Sequence, residues 1–196
     1  MQKIILSSTS EIRENLLKRL QIPFEAVAPC CDETPLKYEK ASDLVQRLSI
    51  KKADSLKKNF TDALIIGGDQ VATYNDLIIG KPLTHQKAIE QLTNFSNNSV
   101  KFHSGICLLN SKTNNFQVAN IETIVHFRNN SKKTIENYLF TEKPYNCAGS
   151  FKSEGLGICL LKTIESHDPT ALMGLPLIRL ISMLSKENLK LPAILL

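Results

Sequence analysis

The chain has 196 residues, 42% of them hydrophobic and 22% charged, which excludes a disordered or fibrous protein and allows one well-buried domain, or two small lobes sharing a cleft. Its 24 basic and 19 acidic residues leave a net charge of +5. That excess is mild and scattered over the doublets Lys51-Lys52, Lys57-Lys58 and Lys132-Lys133, and only 6% of residues are aromatic, so no nucleic-acid partner is expected.

The doublets read as solvated helix faces, while the positive excess favours a small polyanion such as a nucleotide. No apolar run approaches the roughly 20 residues that cross a bilayer. The start, Met1 to Leu6, is too soon polar for a secretory signal, so the expected setting is the cytoplasm, without a membrane partner. Five cysteines (Cys30, Cys31, Cys107, Cys147, Cys159) include no C-x-x-C pair, against a zinc site or a disulfide framework. Cys107 and Cys159 lie in apolar strand-like runs and read as small buried hydrophobes.

Strand-like and helix-like segments alternate, as in an α/β protein. Lys3 to Ser7 is a short apolar strand. Ser10 to Gln21 carries a helical stripe at Ile12, Leu16, Leu17 and Leu20. Pro23 forces extension, and Phe24 to Ala28 reads as a second strand. Ser42 is the expected N-cap of a helix to about Lys58, with Leu44, Leu48 and Leu56 as its stripe. Ala63 to Ala72 is a strand that turns through Tyr74-Asn75-Asp76 into a return strand, Leu77 to Ile79.

Thr84 to Phe95 is helical. Val100 to Leu109 and Phe116 to Phe127 are long strands around a polar turn. Ser131 to Phe140 is helical, Glu142 to Glu154 is a polar loop, and Leu156 to Ile164 is strand-like. Ala171 to Leu184 is an apolar helix containing Pro176, tolerable only near its first turn. With no repeat or linker, the chain reads as a single domain, 1–196.

Several polar residues stand where a fold alone does not need them. In Ala63-Leu64-Ile65-Ile66-Gly67-Gly68-Asp69-Gln70-Val71 an apolar strand ends in a carboxylate behind two glycines that permit close backbone approach. Asp69 suits a metal ligand or general base there, and equally a turn residue accepting backbone N–H bonds. Ser7-Ser8-Thr9-Ser10 with Arg13 one turn on could bind an anion at a helix N-terminus, or merely cap the helix.

Gly80-Lys81-Pro82 could bring an ammonium near Asp69, and Asp32-Glu33, ending the second strand, offers hard oxygen ligands for Mg²⁺ or Mn²⁺. Gly149-Ser150-Phe151-Lys152-Ser153-Glu154-Gly155 could set Lys152 and Glu154 on one side of an extended segment. The histidines, His85, His103, His126 and His167, show no ligand or triad spacing. Only His103, beside Ser104-Gly105, stands out.

In this order the pieces resemble the Maf (septum formation inhibitor) family of nucleotide pyrophosphatases. The matching strings are Leu6 to Ser10 through Arg13, Asp32 to Pro35, Lys52-Ala53, Ile65 to Val71, Gly80 to Pro82, Cys147 to Gly155 and Gly174 to Leu177. Gln70, the Cys147 to Gly155 string and Phe127-Arg128 are similar to the YceF-type subgroup, whose implied substrate is 7-methylguanosine triphosphate. Ile12 departs from it at a position where an aromatic is common, and Gly68 where Ser is usual.

The resemblance implies an elongated mixed β-sheet flanked by helices, with two lobes around a central cleft. It implies cleavage between the α and β phosphates, with Asp69 as general base and Asp69 and Glu33 holding Mg²⁺ or Mn²⁺. Ser8, Arg13, Lys52, Lys81 and Lys152 would neutralise the triphosphate, while Ile12, Gln70 and Glu154 would select the base. The alternatives are a dTTP- or UTP-directed enzyme, and a regulatory binding protein of cell division. A homodimer rests on the resemblance alone.

Overall fold

In the computed structural model, which describes residues 2–192, the chain alternates strands and helices along most of its length. Strand β1 (Lys3–Ser7) pairs in parallel with β2 (Glu25–Val27) and with β3 (Ala63–Tyr74). Helix α1 (Glu11–Lys18) joins β1 to β2, and α2 (Ala41–Ser55) joins β2 to β3. The order continues with β4 (Leu77–Ile79), α3 (His85–Phe95), β5 (Ser99–Asn110), β6 (Asn115–Phe127), α4 (Lys132–Glu142), β7 (Leu161–Ser166) and α5 (Leu177–Lys186). All seven strands form one mixed sheet in the order β2-β1-β3-β5-β6-β7, with β4 paired to β3. The expected mixed α/β fold is therefore observed.

By their contacts the residues form two compact units, one of Met1–Asp69, Ser104–Ile121 and Asp168–Leu196, the other of Gln70–His103 and Glu122–His167. In the first unit β1 and the start of β3 are apolar and buried on both faces, as strands covered by helices on both sides must be. Ile4 and Leu6 of β1 and Leu64 and Ile66 of β3 pack with Leu16 and Leu17 of α1 and Leu180, Met183 and Leu184 of α5. The alternate residues Ile5 and Ile65 pack with Cys107, Leu109 and, from α2, Ala53, with Leu56 just beyond. Each such buried side chain contributes about 1.5–3 kcal/mol. In the second unit Phe95 and Phe127 lie 5.5 Å apart and Phe127 and Phe151 5.8 Å apart, centroid to centroid.

Local signals account for most element ends. Ser10, Thr84 and Ser131 each accept a backbone N–H three residues on, capping α1, α3 and α4. Asn75 and Asp76 both take positive φ, the conformation of the two-residue turn that closes β3 onto β4 with Tyr74 opposite Leu77.

Four expectations need correction. The N-cap of α2 is Lys40, without a side-chain cap; Ser42 bonds Asp43 instead. Residues Leu156–Leu160 form a 3₁₀ turn, and the strand begins only at Leu161. Gly157 there is pressed so closely on the Lys152 carbonyl oxygen that a Cβ would lie 2.2 Å from it, a tight fold that an extended segment could not make. Cys159, on that turn, is exposed, whereas Cys107 is buried as expected, its thiol pushed up to about 12 by burial. The segment 171–184 is broken into a 3₁₀ turn (Ala171–Met173), the left-handed Gly174 and α5, because Pro176 acts as an N-cap rather than an interior residue.

The closest packing in the first unit is between α2 and two strand glycines. A Cβ on Gly67 would lie 2.1 Å from the Ser49 carbonyl oxygen and 2.9 Å from the Ala53 nitrogen, and one on Gly105 would lie 2.3 Å from the Val45 carbonyl oxygen. At Gly68 the nearest atom would be 3.5 Å away, an ordinary contact. Gly67→Ala should therefore destabilise the protein by about 1–3 kcal/mol or more, and Gly68→Ala by less than about 1 kcal/mol. Urea unfolding of the two variants measures the difference; equal losses would contradict this packing.

Candidate active site

Asp69 lies inside β3, between Gly68 and Gln70, rather than at the strand end expected, because the strand runs on to Tyr74. It is buried. Its Oδ1 accepts a hydrogen bond of 2.7 Å from Lys52 Nζ, and the same ammonium lies 2.8 Å from Glu33 Oε2. The Lys52 side chain is 7% exposed and that of Asp69 11%, against 53% for Glu33. The solvated reading of the Lys51-Lys52 doublet is thus wrong for Lys52. A cation this deeply buried needs charge partners to offset its lost hydration, and here it has two.

Lys52 is aimed by its own backbone. Its carbonyl accepts from Ser7 Oγ at 2.7 Å and from Ser55 Oγ at 2.8 Å. The contact of α2 with Gly67 then sets the helix beside the strand that carries Asp69. The burial has a signal in the sequence: Leu44, Leu48, Lys52 and Leu56 recur every four residues, so Lys52 falls in the apolar stripe.

Glu33 does not end β2, which stops at Val27, but stands on the loop before α2. Asp32 closes a local turn, accepting at Oδ1 from the Thr34 N–H (2.9 Å) and hydroxyl (2.6 Å). Those bonds, with the side-chain one first, hold its carboxyl below the usual carboxylate range. Arg47 of α2 pins the same loop at two points, donating to the Thr34 carbonyl and, in bidentate fashion, to the Glu39 carboxylate. Arg47 and Glu39 were not singled out by sequence; their spacing across a loop gives no periodic signal.

Ser8 and Arg13 come from the β1–α1 junction. Ser8 Oγ accepts from the Ser10 N–H, and Arg13 Nε donates to the Gly174 carbonyl at 2.8 Å. Burial lowers the Arg13 pKa, opposed by the nearby charges of Asp69 and Glu33, so the guanidinium belongs to the same charge cluster. Ile12 is half-buried and packs against the apolar cluster of β1, β3, α1 and α5.

The second unit holds the remaining residues singled out by sequence. Gln70 follows Asp69 on β3 and is half-buried, and Lys81 is exposed just after β4. Lys152 is half-buried; its Nζ donates to the Glu142 carbonyl at 3.3 Å and lies 4.0 Å from Glu142 Oε2. Glu154 is exposed on a turn rather than on the extended segment expected. Burial raises the Cys147 thiol pKa, and the charges of Lys152, Glu154, Lys81 and Glu142 act on it in turn. Tyr138 and Glu142, not foreseen from sequence, hold the loop of Lys152 and Glu154. The Tyr138 hydroxyl accepts the Lys152 N–H at 3.0 Å and Glu142 Oε1 accepts the Leu156 N–H at 3.1 Å. His103 is buried and its pKa is lowered by burial, with Glu122 opposing.

Among the described residues no three His, Cys, Asp or Glu side chains cluster as a metal site. Asp69 and Glu33, brought together by the Lys52 ammonium they share, still fit Mg²⁺ or Mn²⁺ by their hard oxygen donors, since these ions take one or two protein carboxylates and complete their shell with water and phosphate. The set does not fit zinc, which wants nitrogen or sulfur ligands.

The Maf family profile, described as Maf-like protein, matches residues 3–187. The chain belongs to the Maf family. Relatives include proteins named 7-methyl-GTP pyrophosphatase from Pseudomonas savastanoi pv. phaseolicola, 48% identical over 98% of this chain and 100% of that one, and from Cupriavidus metallidurans, 51% identical over 92% and 91%. A third, of the same name, from Aliivibrio fischeri, is 47% identical over 95% and 97%. Among solved structures, that of the Staphylococcus aureus Ham1 protein aligns with TM-score 0.45 and 13% identity over 65% of this chain and 73% of that one. Among the described residues of this Maf chain, no helix is long and apolar enough to cross a membrane.

The loop that carries Glu33 yields a pH prediction. Hydrogen bonding to Arg47 is the first cause that lowers the Glu39 carboxyl from 4.5 to about 2. A carboxylate depressed on folding stabilises fully above its unfolded pKa, and loses that contribution as pH falls through the folded value. Glu39→Gln should therefore cost about 1–2 kcal/mol at pH 7, and the gap to the parent should close between about pH 5 and pH 2. Urea unfolding at several pH values measures it; a gap independent of pH would refute the coupling.

Proposed function

We propose that this chain, acting as one catalytic domain over residues 1–196, is a nucleoside triphosphate pyrophosphatase that hydrolyses 7-methylguanosine triphosphate to the monophosphate and diphosphate. The observation that carries the reaction class is the buried Lys52 ammonium shared by Asp69 and Glu33, beside Arg13. The name borne by the relatives, 7-methyl-GTP pyrophosphatase, supports the substrate.

Hydrolysis of a phosphoanhydride is mostly positioning and charge neutralisation of an in-line displacement at phosphorus. Water oxygen forms the new bond to phosphorus, the α–β anhydride bond breaks, and diphosphate leaves with the bridging oxygen. Asp69 accepts the proton of the attacking water. Lys52 keeps the Asp69 carboxylate oriented, while Ser8 and Arg13 bind phosphate oxygens, Arg13 as a planar fork. Lys81 and Lys152 add ammonium charge to triphosphate binding. A divalent cation held by Glu33 and Asp69 would supply further neutralisation of phosphate charge.

Charge count supports that role. Arg13, Lys52, Glu33 and Asp69 carry two positive and two negative charges, so the cluster is formally neutral and cannot by itself offset a triphosphate. For the base, 7-methylguanine carries ring charge and presents N–H donors, which a carboxylate at Glu154 accepts and offsets, with Gln70 offering an adaptable amide. Ile12 would contribute apolar contact to base selection.

Two measurements test this. Asp69→Asn should lower turnover by about 10²–10⁴-fold with the fold intact, measured as diphosphate released; near-parental turnover would remove Asp69 from the role of base. Glu154→Gln should narrow the ratio of kcat/KM for 7-methyl-GTP over GTP by about 10-fold, the value of one charge-assisted bond. An unchanged ratio would show that Glu154 does not read the base.

A further inference from the structure

The segment between β7 and α5 carries a buried polar network that touches none of the reacting groups named above except through Arg13. Asp168 and Thr170 are both buried. Asp168 Oδ1 accepts from the Thr170 N–H at 3.1 Å and lies 2.7 Å from Thr170 Oγ1. Asp168 Oδ2 accepts from the N–H groups of Ile178 (2.8 Å) and Arg179 (3.2 Å) in the first turn of α5, where Pro176 supplies no side-chain cap. The Thr170 hydroxyl accepts the Leu177 N–H at 2.8 Å and lies 2.9 Å from the Leu175 carbonyl oxygen.

Two side chains thus tie both ends of a short loop, and Gly174 stands between the ties. Its φ of 97° is left-handed, a conformation that favours glycine. Ser104 Oγ adds a bond of 2.7 Å to the Ala171 carbonyl. The network ends in one contact: the buried Gly174 carbonyl accepts Arg13 Nε at 2.8 Å. That pair lies beside Gly68, whose notional Cβ would be 3.7 Å from Arg13 Nε and 3.8 Å from the Gly174 oxygen, one residue before Asp69. Among the described residues, the Arg13 terminal nitrogens have no hydrogen-bond partner, so fixing Nε leaves the outer edge of the fork for a phosphate.

We infer that Thr170 and Asp168 are positioning residues of the pyrophosphatase reaction, acting through the Gly174 carbonyl to orient the Arg13 guanidinium. The inference rests on the reading of Arg13 as a triphosphate anchor. A guanidinium with its Nε tied presents its two terminal nitrogens in one plane, and losing that tie lets the fork rotate away from the position that bonds the phosphates best.

The test is a double-mutant cycle on kcat/KM for 7-methyl-GTP, with thermal unfolding of every variant. Thr170→Val keeps the shape of the side chain and removes the hydroxyl; it should lower kcat/KM by about 10-fold or more, with Thr170→Ser within about 2-fold of the parent. In an Arg13→Ala background, Thr170→Val should change kcat/KM by less than about 2-fold, although its effect on the unfolding temperature should persist there. Should Thr170→Val not fold, Asp168→Asn serves in the same cycle, with the same dependence on Arg13 expected. If Arg13→Ala is impaired but the Thr170 or Asp168 loss multiplies with it, or is absent in the parent background, the positioning role is overturned and the Arg13 reading stands. If Arg13→Ala itself turns over normally, the anchor reading and the inference fall together.

Discussion

Helix α2 lies so close to the sheet at Gly67 and Gly105 that helix backbone fills the space side chains would occupy. The helix gains its place there by contact with strand backbone, and Ser49 keeps its hydroxyl satisfied by bonding back to the Val45 carbonyl at 2.6 Å. Three residues after Ser49, on the same side of the helix, comes Lys52. A larger residue at either glycine would push α2 outward, and the Lys52 ammonium would leave the buried Asp69 carboxylate unpaired. Leaving one member of a buried ion pair alone costs far more than the pair itself contributes. The helix–sheet distance therefore decides both packing in the first unit and the electrostatics of its charge cluster.

The cluster is graded in burial. Asp69 and Lys52 are enclosed, whereas Glu33 is half exposed on a loop. An exposed ion pair contributes little, so Glu33 can exchange its contact with Lys52 for another cation at small cost. The Asp69–Lys52 pair has no such freedom. Arg47 limits how far the exchange can carry Glu33, because it grips the Glu33 loop at Thr34 and again at Glu39. Rigid and adjustable carboxylates side by side suit the proposed binding of a polyanion and release of two anionic products.

Much of the fold was legible in the sequence, because its signals are local. The caps at Ser10, Thr84 and Ser131, the turn at Asn75-Asp76 and the continuous apolar runs of β1 and β3 each depend on a few neighbouring residues. The failures came where distant contacts override a local pattern. The apolar run from Leu156 looked extended, yet Gly157 folds back on Lys152. Pro176 was given one helix to sit in, yet the chain breaks at Gly174 and is capped by Asp168, ten residues from the N–H it receives. Asp69 was recognised by the oddity of a carboxylate among buried apolar residues. Lys52 was available by the same reasoning, since it occupies a buried phase of α2, but a charged doublet is usually solvated and hid it. Tyr138 and Glu142 left no trace, because their role is to receive backbone N–H groups from a loop more than ten residues away.

The residues proposed for reaction and those proposed for specificity rest on different kinds of structure in this chain. The groups proposed for chemistry are each held by several ties: Lys52 by Ser7 of β1, by Ser55 and by the packing of α2, Arg13 by Gly174 and the network behind it. Glu154, assigned to the base, stands exposed on a turn secured from below by Glu142, against whose carboxylate Gly155 is pressed. Substituting a buried member of the first group disturbs several bonds at once, whereas changing Glu154 disturbs the loop very little. A scaffold arranged this way can alter the base it prefers through Glu154 with little effect on the bond it breaks, because Glu154 makes none of the bonds that hold Lys52 and Arg13.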